Sequence, residues 1–200
     1  MKAKKCACAL GYGGFVIIAA VVVALDQITK WLAVGRLTSA FGNADFGEKF
    51  SIFLWQQHPA RSEAVEVVRD FWHFRYVENP GAAWGFLAGA DSPWRTPFFL
   101  ILSVVAMVFI VLYYRKTTLQ QQILRLALAL VFGGAIGNFL DRVRLGYVID
   151  FIDWHWYDKA TWPTFNIADS AISVGVALML LDMLLQKPEG AKVGASKKVY

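Results

Sequence analysis

The chain contains 200 residues, of which 57% are hydrophobic and 18% are charged, and its formal net charge is +5. Together with a mean hydropathy of +0.45, this composition is typical of a lipid-embedded protein and argues against a soluble domain. The positive charge reflects the membrane topology described next, so it does not indicate binding of nucleic acid.

Four apolar runs come close to the roughly 20 residues that an α-helix needs to cross a bilayer. They cover residues 15–35, 98–114, 123–140 and 168–185. Lys and Arg in short loops are retained on the cytoplasmic side of a membrane, so their positions orient the chain. The basic residues of the two tails and of the middle loop are Lys2, Lys4, Lys5, Arg115, Lys116, Lys187, Lys192, Lys197 and Lys198, and Arg125 lies just inside the third span. We therefore expect one membrane-embedded domain over residues 1–200, with four transmembrane helices and both termini in the cytoplasm.

Two segments, residues 36–97 and 141–167, are then expected on the outer side. In the first, residues 58–74 place apolar side chains at helical spacing, which predicts an amphipathic helix on the membrane surface. These side chains are Ala64, Val67, Val68, Phe71 and Trp72. Aromatic and β-branched residues predict short strands over residues 74–77 and 147–153. We expect the two strands to pair into a small extracytoplasmic β platform.

Ionisable and polar groups inside the predicted spans need a physical explanation, because burying them in lipid is costly. Asp26 and Lys30 lie four residues apart on the first span, so they share one helix face and can neutralise each other. We interpret them as a structural ion pair. A second polar face, at the outer end of the third span, is interpreted mainly as scaffold and comprises Gly134, Asn138, Asp141 and Arg142.

Two carboxylates are expected near the outer boundary of the membrane. Asp150 follows the third span and Asp169 begins the fourth. If they are neighbours, one can keep a proton while the other is ionised, which allows general acid and base chemistry on a water molecule. Spacing leaves other interpretations open, because Asp169 suits a helix N-terminus and Asp150 an exposed strand end. Asp153 and Asp158 are nearby competitors.

Other hydrolytic chemistries lack the residues that they need. The three histidines, His58, His73 and His155, form no His-Glu-x-x-His pattern, and Ser170 has no evident base partner. The sequence therefore implies neither a metal nor an organic cofactor.

Four motifs resemble those of the bacterial lipoprotein signal peptidases, also called signal peptidase II. They are DQITK at 26–30, ENPGAAWGFL at 78–87, GAIGNFLDR at 134–142 with GYVIDF at 146–151, and FNIADS at 165–170. The resemblance extends over nearly the whole chain, and the motifs fall where a four-helix topology requires them. One departure is that residues 38–70 form a longer segment than usual before the second motif.

The resemblance implies a membrane aspartic endopeptidase with Asp150 and Asp169 as its catalytic pair. Its substrates would be prolipoproteins, cut on the amino side of a diacylglyceryl-modified cysteine at the outer face of the bacterial inner membrane. Asp26 and Lys30 match a stabilising pair. The positions that match residues shaping the site are Asn79, Gly81, Gly134, Asn138, Asp141, Arg142, Asn166 and Ala168. We expect a monomer whose partners are lipidated substrates and membrane lipid.

Two alternatives from other classes remain open at this point. A small transporter or channel subunit could use Asp26, Lys30, Asn138 and Asp141 as a polar pathway. A scaffold could instead present residues 36–97 to a partner protein, in which case both candidate carboxylates would be dispensable.

Overall fold

The computed structural model describes residues 10–58, 61–81, 93–157 and 159–185. The elements in this part of the chain are α1 (Tyr12–Leu37), α2 (Phe46–Trp55), β1 (Val65–Val68), β2 (Trp72–Asn79), α3 (Arg95–Tyr114), α4 (Gln122–Leu145), β3 (Val148–Trp156), β4 (Ala160–Thr161) and α5 (Ile167–Leu185). Three groups of residues named above lie outside the described ranges. They are Asp158, the residues of the second motif that follow Gly81, and the lysines of both tails.

Four of the described helices, α1, α3, α4 and α5, are long and apolar enough to cross a membrane. Each predicted span falls within one of them. Many of their large apolar side chains face outward, such as Ile101, Phe109 and Leu184. Such exposure is expected where lipid rather than protein covers a helix, and it confirms the prediction of a four-helix membrane protein.

The centre of the bundle is α4, which contacts α1, α3 and α5. Small residues allow these close approaches, as they commonly do between helices in lipid. A Cβ atom built at Gly175 of α5 would lie 2.6 Å from Cγ2 of Val131 and 2.8 Å from the carbonyl oxygen of Ala127, both on α4. The backbones of α4 and α5 therefore touch almost directly.

The four strands form one antiparallel sheet in the order β1-β2-β3-β4. Gly146 ends α4 in a left-handed conformation with φ of 81°, and β3 begins two residues later. This tight turn keeps the start of β3 close to the end of α4. On the other side of β3, Val77 of β2 is paired with Asp150 and Asn79 with Val148. The small platform predicted from sequence is confirmed.

The helix predicted over residues 58–74 is wrong. The described part of that stretch forms β1 and the beginning of β2, joined by a turn in which Asp70 adopts a positive φ of 58°. Its Val, Phe and Trp residues favour strands, and Trp72 gains a cross-strand partner in Trp154. A helix does lie in the outer segment, but earlier, as α2.

The short helix α2 begins at a capping box in which Asp45 and Glu48 bond reciprocally to each other's backbone N–H. Its aromatic side chains pack around Trp31 of α1. Phe46, Phe50 and Phe53 have ring centroids 5.9, 6.1 and 5.3 Å from that of Trp31. Since Trp31 lies about two turns before the end of α1, α2 folds back along the membrane-spanning helix.

The contact between α4 and α5 can be tested with Gly175→Ala. The added methyl group would meet the backbone of α4, so we expect a loss of about 1–3 kcal/mol in unfolding free energy, the usual cost of overpacking. Gly13→Ala is the matched control, because a Cβ atom there meets nothing within 4 Å. Thermal unfolding in detergent measures both. A Gly175→Ala protein as stable as the control would contradict the close packing.

Candidate active site

Asp150 and Asp169 are brought together at the junction between the sheet and α5, and both bond to Asn166. The Asn166 amide Nδ2 donates to Oδ1 of Asp150 at 2.7 Å. The backbone N–H of Asn166 donates to Oδ2 of Asp169 at 3.2 Å, and that of Asp169 donates back to Oδ1 of Asn166 at 2.9 Å. This reciprocal pair caps the N-terminus of α5 and fixes Asp169 beside Asp150.

Asp150 is almost completely buried, with 1% of its surface exposed. Its second oxygen, Oδ2, accepts a hydrogen bond from Nδ2 of Asn79 at 3.0 Å. Burial, followed by the nearby charge of Asp169, raises the pKa of Asp150 to about 8. Its carboxyl group therefore keeps a proton at neutral pH.

Asp169 is less buried and faces a cleft of 570 Å³. Nδ2 of Asn138 donates to its Oδ1 at 2.8 Å. The polar residues that line the cleft with Asp169 are Asn79, Asn138, Arg142, Thr164, Ser170 and Ser173. The remaining wall is largely apolar and aromatic, including Val148, Trp154, Trp162, Phe165 and Ile172. A carboxylate among a few polar groups in a largely apolar cleft suits a ligand that has both polar and apolar parts.

Arg142 supports the site through the backbone of the second motif. Its Nη2 donates to the carbonyl oxygen of Gly81 at 2.9 Å, and the N–H of Gly81 donates to Oδ1 of Asn79 at 3.0 Å. The oxygen of the Asn79 amide is thereby occupied, so its Nδ2 is directed at Asp150. Gly81 thus contributes two backbone groups.

Beneath the cleft, Lys30 is fully buried between two fully buried carboxylates. Its Nζ lies 2.8 Å from Oδ2 of Asp26 and 2.7 Å from Oδ2 of Asp141. It also donates to Oδ1 of Asn138 at 3.2 Å. The predicted pair of Asp26 and Lys30 is therefore part of a larger cluster, and that cluster orients the asparagine bonded to Asp169.

The two carboxylates of this cluster also hold the elements that carry the site. Oδ1 of Asp26 accepts the backbone N–H of Ala168 at 3.0 Å, near the start of α5. Oδ2 of Asp141 accepts the N–H of Ile149 at 3.2 Å, next to Asp150 on β3. Ala168 thus takes part through its backbone. Gly134 has no Cβ, and one added there would collide with the carbonyl oxygen of Ala168.

Two residues of the cluster, Gln27 and Arg144, were not predicted from the sequence. Arg144 Nη2 lies 2.6 Å from Oδ1 of Asp141 and donates to Oε1 of Gln27 at 2.8 Å. Gln27 in turn donates to Asp26 and Asp141 at 3.1 and 3.2 Å. The sequence indicates their roles only weakly. Gln27 belongs to the first motif, and Arg144 lies three residues after Asp141 on α4.

The competing candidates lie away from the cleft or make no contact with a group that could act as a base. Asp153 lies three residues beyond Asp150, hence on the opposite face of β3, and pairs with Arg75 at 3.0 Å. Ser170 donates to the carbonyl oxygen of Asn166 at 2.9 Å. His58 is buried away from the cleft, with Nδ1 3.0 Å from the hydroxyl of Tyr76. Within the described ranges, no group of three or more His, Cys, Asp or Glu is suited to hold a metal.

Comparison with known proteins finds one family along most of the chain. The family described as signal peptidase (SPase) II matches residues 18–185. The lipoprotein signal peptidase of Anaeromyxobacter sp. (strain Fw109-5) is 52% identical over 167 residues, which cover 80% of this chain and 79% of that relative. That of Syntrophotalea carbinolica is 46% identical over 165 residues, covering 82% and 87%.

The fold is also similar to that of solved structures. One, described as a bacterial membrane enzyme, superposes with a TM-score of 0.65 at 30% sequence identity. The match covers 90% of this chain and 96% of that one.

The buried cation can be tested with Lys30→Met. Removing it leaves Asp26 and Asp141 buried without their shared partner, so we expect a loss of about 3–5 kcal/mol in unfolding free energy. Lys159→Met removes an exposed lysine and is the matched control. Thermal unfolding in detergent compares the two. Equal stability of both variants would mean that the ion cluster does not hold the fold together.

Proposed function

The chain belongs to the signal peptidase II family, and we propose on that premise that Asp150 and Asp169 are its catalytic pair. The protein is a membrane aspartic peptidase that removes the signal peptide from diacylglyceryl-modified prolipoproteins. Cleavage falls on the amino side of the lipidated cysteine. The observation that supports the catalytic assignment best is the sharing of Asn166 by two carboxyl groups, one buried and one open to the cleft.

The two carboxyl groups have different environments, and this difference suggests which group acts as the acid and which as the base. Asp150 is the more buried and keeps its proton, so it donates a hydrogen bond to the scissile carbonyl oxygen. Asp169 faces the cleft and, ionised, accepts a proton from the attacking water. The hydroxide formed adds to the carbonyl carbon, and the proton of Asp150 passes to the carbonyl oxygen.

The resulting tetrahedral intermediate then collapses. The carbon–nitrogen bond breaks as Asp169 returns its proton to the leaving amine. The hydroxyl that Asp150 had protonated gives that proton back to Asp150 as the new carboxyl group forms. The pair thus ends the cycle in its starting protonation state. Because one proton is shared, the two groups titrate as a unit.

Four amide and backbone groups keep this pair in place during the cycle. Asn79 and Asn166 bond to Asp150, whereas Asn138 and the N–H of Asn166 bond to Asp169. These N–H donors stabilise the negative charge of an ionised carboxylate, and they do not transfer a proton to it. Arg142, Lys30, Asp26 and Asp141 act one contact further out, by orienting these donors.

The site lies near the outer face of the bacterial inner membrane in this proposal, and both termini are cytoplasmic. The sheet adjoins the end of α1, the end of α4 and the start of α5. The opposite end of the bundle carries the α3–α4 connection with Arg115 and Lys116, which the positive-inside rule assigns to the cytoplasm. One membrane-embedded domain, acting as a monomer, suffices for this arrangement.

The transporter alternative has no support. Asp26, Lys30 and Asp141 are each 0% exposed and bond to one another or to their neighbours. They are tied up in a closed cluster and do not line an open route through the bundle.

Replacing either carboxyl group removes a proton acceptor or donor. We expect Asp150→Asn and Asp169→Asn each to slow processing at least about 100-fold, the lower end of what general acid–base catalysis contributes. The assay follows cleavage of a lipidated precursor by purified protein in lipid vesicles. Asp153→Asn, on the other face of β3, is the control. Near-normal cleavage by Asp150→Asn would rule out the pair.

The protonation of Asp150 also predicts a pH dependence. Because its folded pKa is raised to about 8, the working protonated form persists below that pH and is lost as pH rises through it. The value of kcat/KM should therefore fall on the alkaline side with an apparent pKa near 8. Asn79→Ala removes a hydrogen bond that favours the ionised form, so this alkaline limb should move to higher pH. A rate that stays constant through this range would contradict the role of Asp150.

A further inference from the structure

A second cavity, here called the α1 groove, lies between α1 and the sheet and shares no lining residue with the active-site cleft. Its volume is 450 Å³, within the range of roughly 300–1,000 Å³ that ligand pockets occupy. The residues that line it are Thr29, Leu32, Ala33, Arg36, Leu37, Val65, Glu66, Val67, Phe74 and Phe151. Successive residues of a strand point to opposite faces, so Phe151 faces this groove while Asp150 lies on the opposite face, together with Val148 and Trp154 of the cleft wall. The groove is therefore separate from the reacting groups.

One wall of the groove belongs to the surface that faces lipid. Thr29, Leu32 and Arg36 follow one another at helical spacing on the outer turns of α1, a span of roughly 10 Å. Leu32 is 46% exposed and belongs to a helix long and apolar enough to cross the membrane, so its side chain faces lipid. The groove thus opens sideways into the bilayer, and an acyl chain can enter it along α1.

The groove is apolar except for Thr29 and two charged residues. Arg36 stands at the outer end of α1 and is exposed. It forms no ion pair with any other residue that the structure describes. Glu66, on β1, lies 3.4 Å from Nε2 of His73 through one carboxylate oxygen and leaves the other oxygen available. One cation and one carboxylate above an apolar slot match a headgroup that carries both a phosphate and an ammonium.

We propose that the α1 groove binds a phospholipid of the phosphatidylethanolamine type. One acyl chain lies against Thr29, Leu32 and Phe151, the phosphate is bound by Arg36, and the primary ammonium is bound by Glu66. The ligand of this site is a lipid of the surrounding bilayer, so the proposal does not depend on the catalytic assignment.

The test measures lipid retention directly. Purified protein in mild detergent is mixed with equal amounts of phosphatidylethanolamine, phosphatidylcholine and phosphatidylglycerol bearing the same acyl chains, and bound lipid is counted by native mass spectrometry. Phosphatidylcholine keeps the positive charge but has no N–H donor, and phosphatidylglycerol has no ammonium. We expect about tenfold more retention of phosphatidylethanolamine, the order of one hydrogen bond between charged groups.

Three variants separate the parts of the site. Arg36→Gln should weaken retention of all three lipids about tenfold. Glu66→Gln should lower phosphatidylethanolamine about tenfold, to the level of phosphatidylcholine, and should lower phosphatidylcholine far less, because its trimethylammonium makes no hydrogen bond to Glu66. Leu32→Trp should fill the groove and abolish retention of every lipid.

Matched controls lie outside the groove. Ile28→Trp adds the same bulk to an exposed position of α1, where Ile28 is 57% exposed. Arg69→Gln removes an exposed arginine from the turn after β1. Both should retain lipid like the unaltered protein, and thermal unfolding confirms that all the variants are folded.

Several outcomes would overturn the proposal. Equal retention of the three lipids would mean that the headgroup is not recognised. Preference for phosphatidylglycerol, strengthened by Glu66→Gln, would mean that the site selects anionic lipid. Retention that survives Leu32→Trp would mean that the bound lipid sits elsewhere on the bundle.

Discussion

The buried contact of Lys30 with Asp26 and Asp141 is the interaction on which the rest of the site depends. Through Asp26 it fixes the start of α5 at the N–H of Ala168, and through Asp141 it fixes the N–H of Ile149 on β3. Charges buried in this way are costly unless each is paired. Arg144 completes the balance, since two carboxylates then face two cations. One cluster therefore positions both elements that carry the proposed catalytic pair.

Three asparagines convert that framework into directed hydrogen bonds. An amide side chain can point either its oxygen or its nitrogen at a neighbour, and here each oxygen is already engaged by a donor. The N–H of Gly81 binds Asn79, Nζ of Lys30 binds Asn138, and the N–H of Asp169 binds Asn166. Each Nδ2 is left to donate to Asp150 or Asp169. Serine, with one rotatable hydroxyl, would not impose that direction.

The four membrane-spanning helices were predictable because crossing lipid requires long apolar runs, which leave a continuous signal in the sequence. The outer segment has no such constraint. Its apolar residues also fit helical spacing, and strands are the better structure only because β1 pairs with β2 and β2 pairs with β3, far along the chain. Motif resemblance singled out Asp150 and Asp169 where spacing alone could not. Arg144 escaped prediction because its role exists only once α1 and α4 bring Gln27 and Asp141 together.

The strand β3 separates the buried candidate active site on one face from the α1 groove on the other. On one face Asp150 is buried, and the loss of hydrating water there raises its pKa, as its proposed role as the proton donor requires. On the other face Phe151 lies in the α1 groove, beside the lipid-facing surface of α1. A phospholipid in the groove would pack against Phe151, directly behind Asp150, and would exclude water from that side of the strand. The membrane would then support the geometry of the proposed catalytic pair as well as hold the enzyme beside its lipidated substrate.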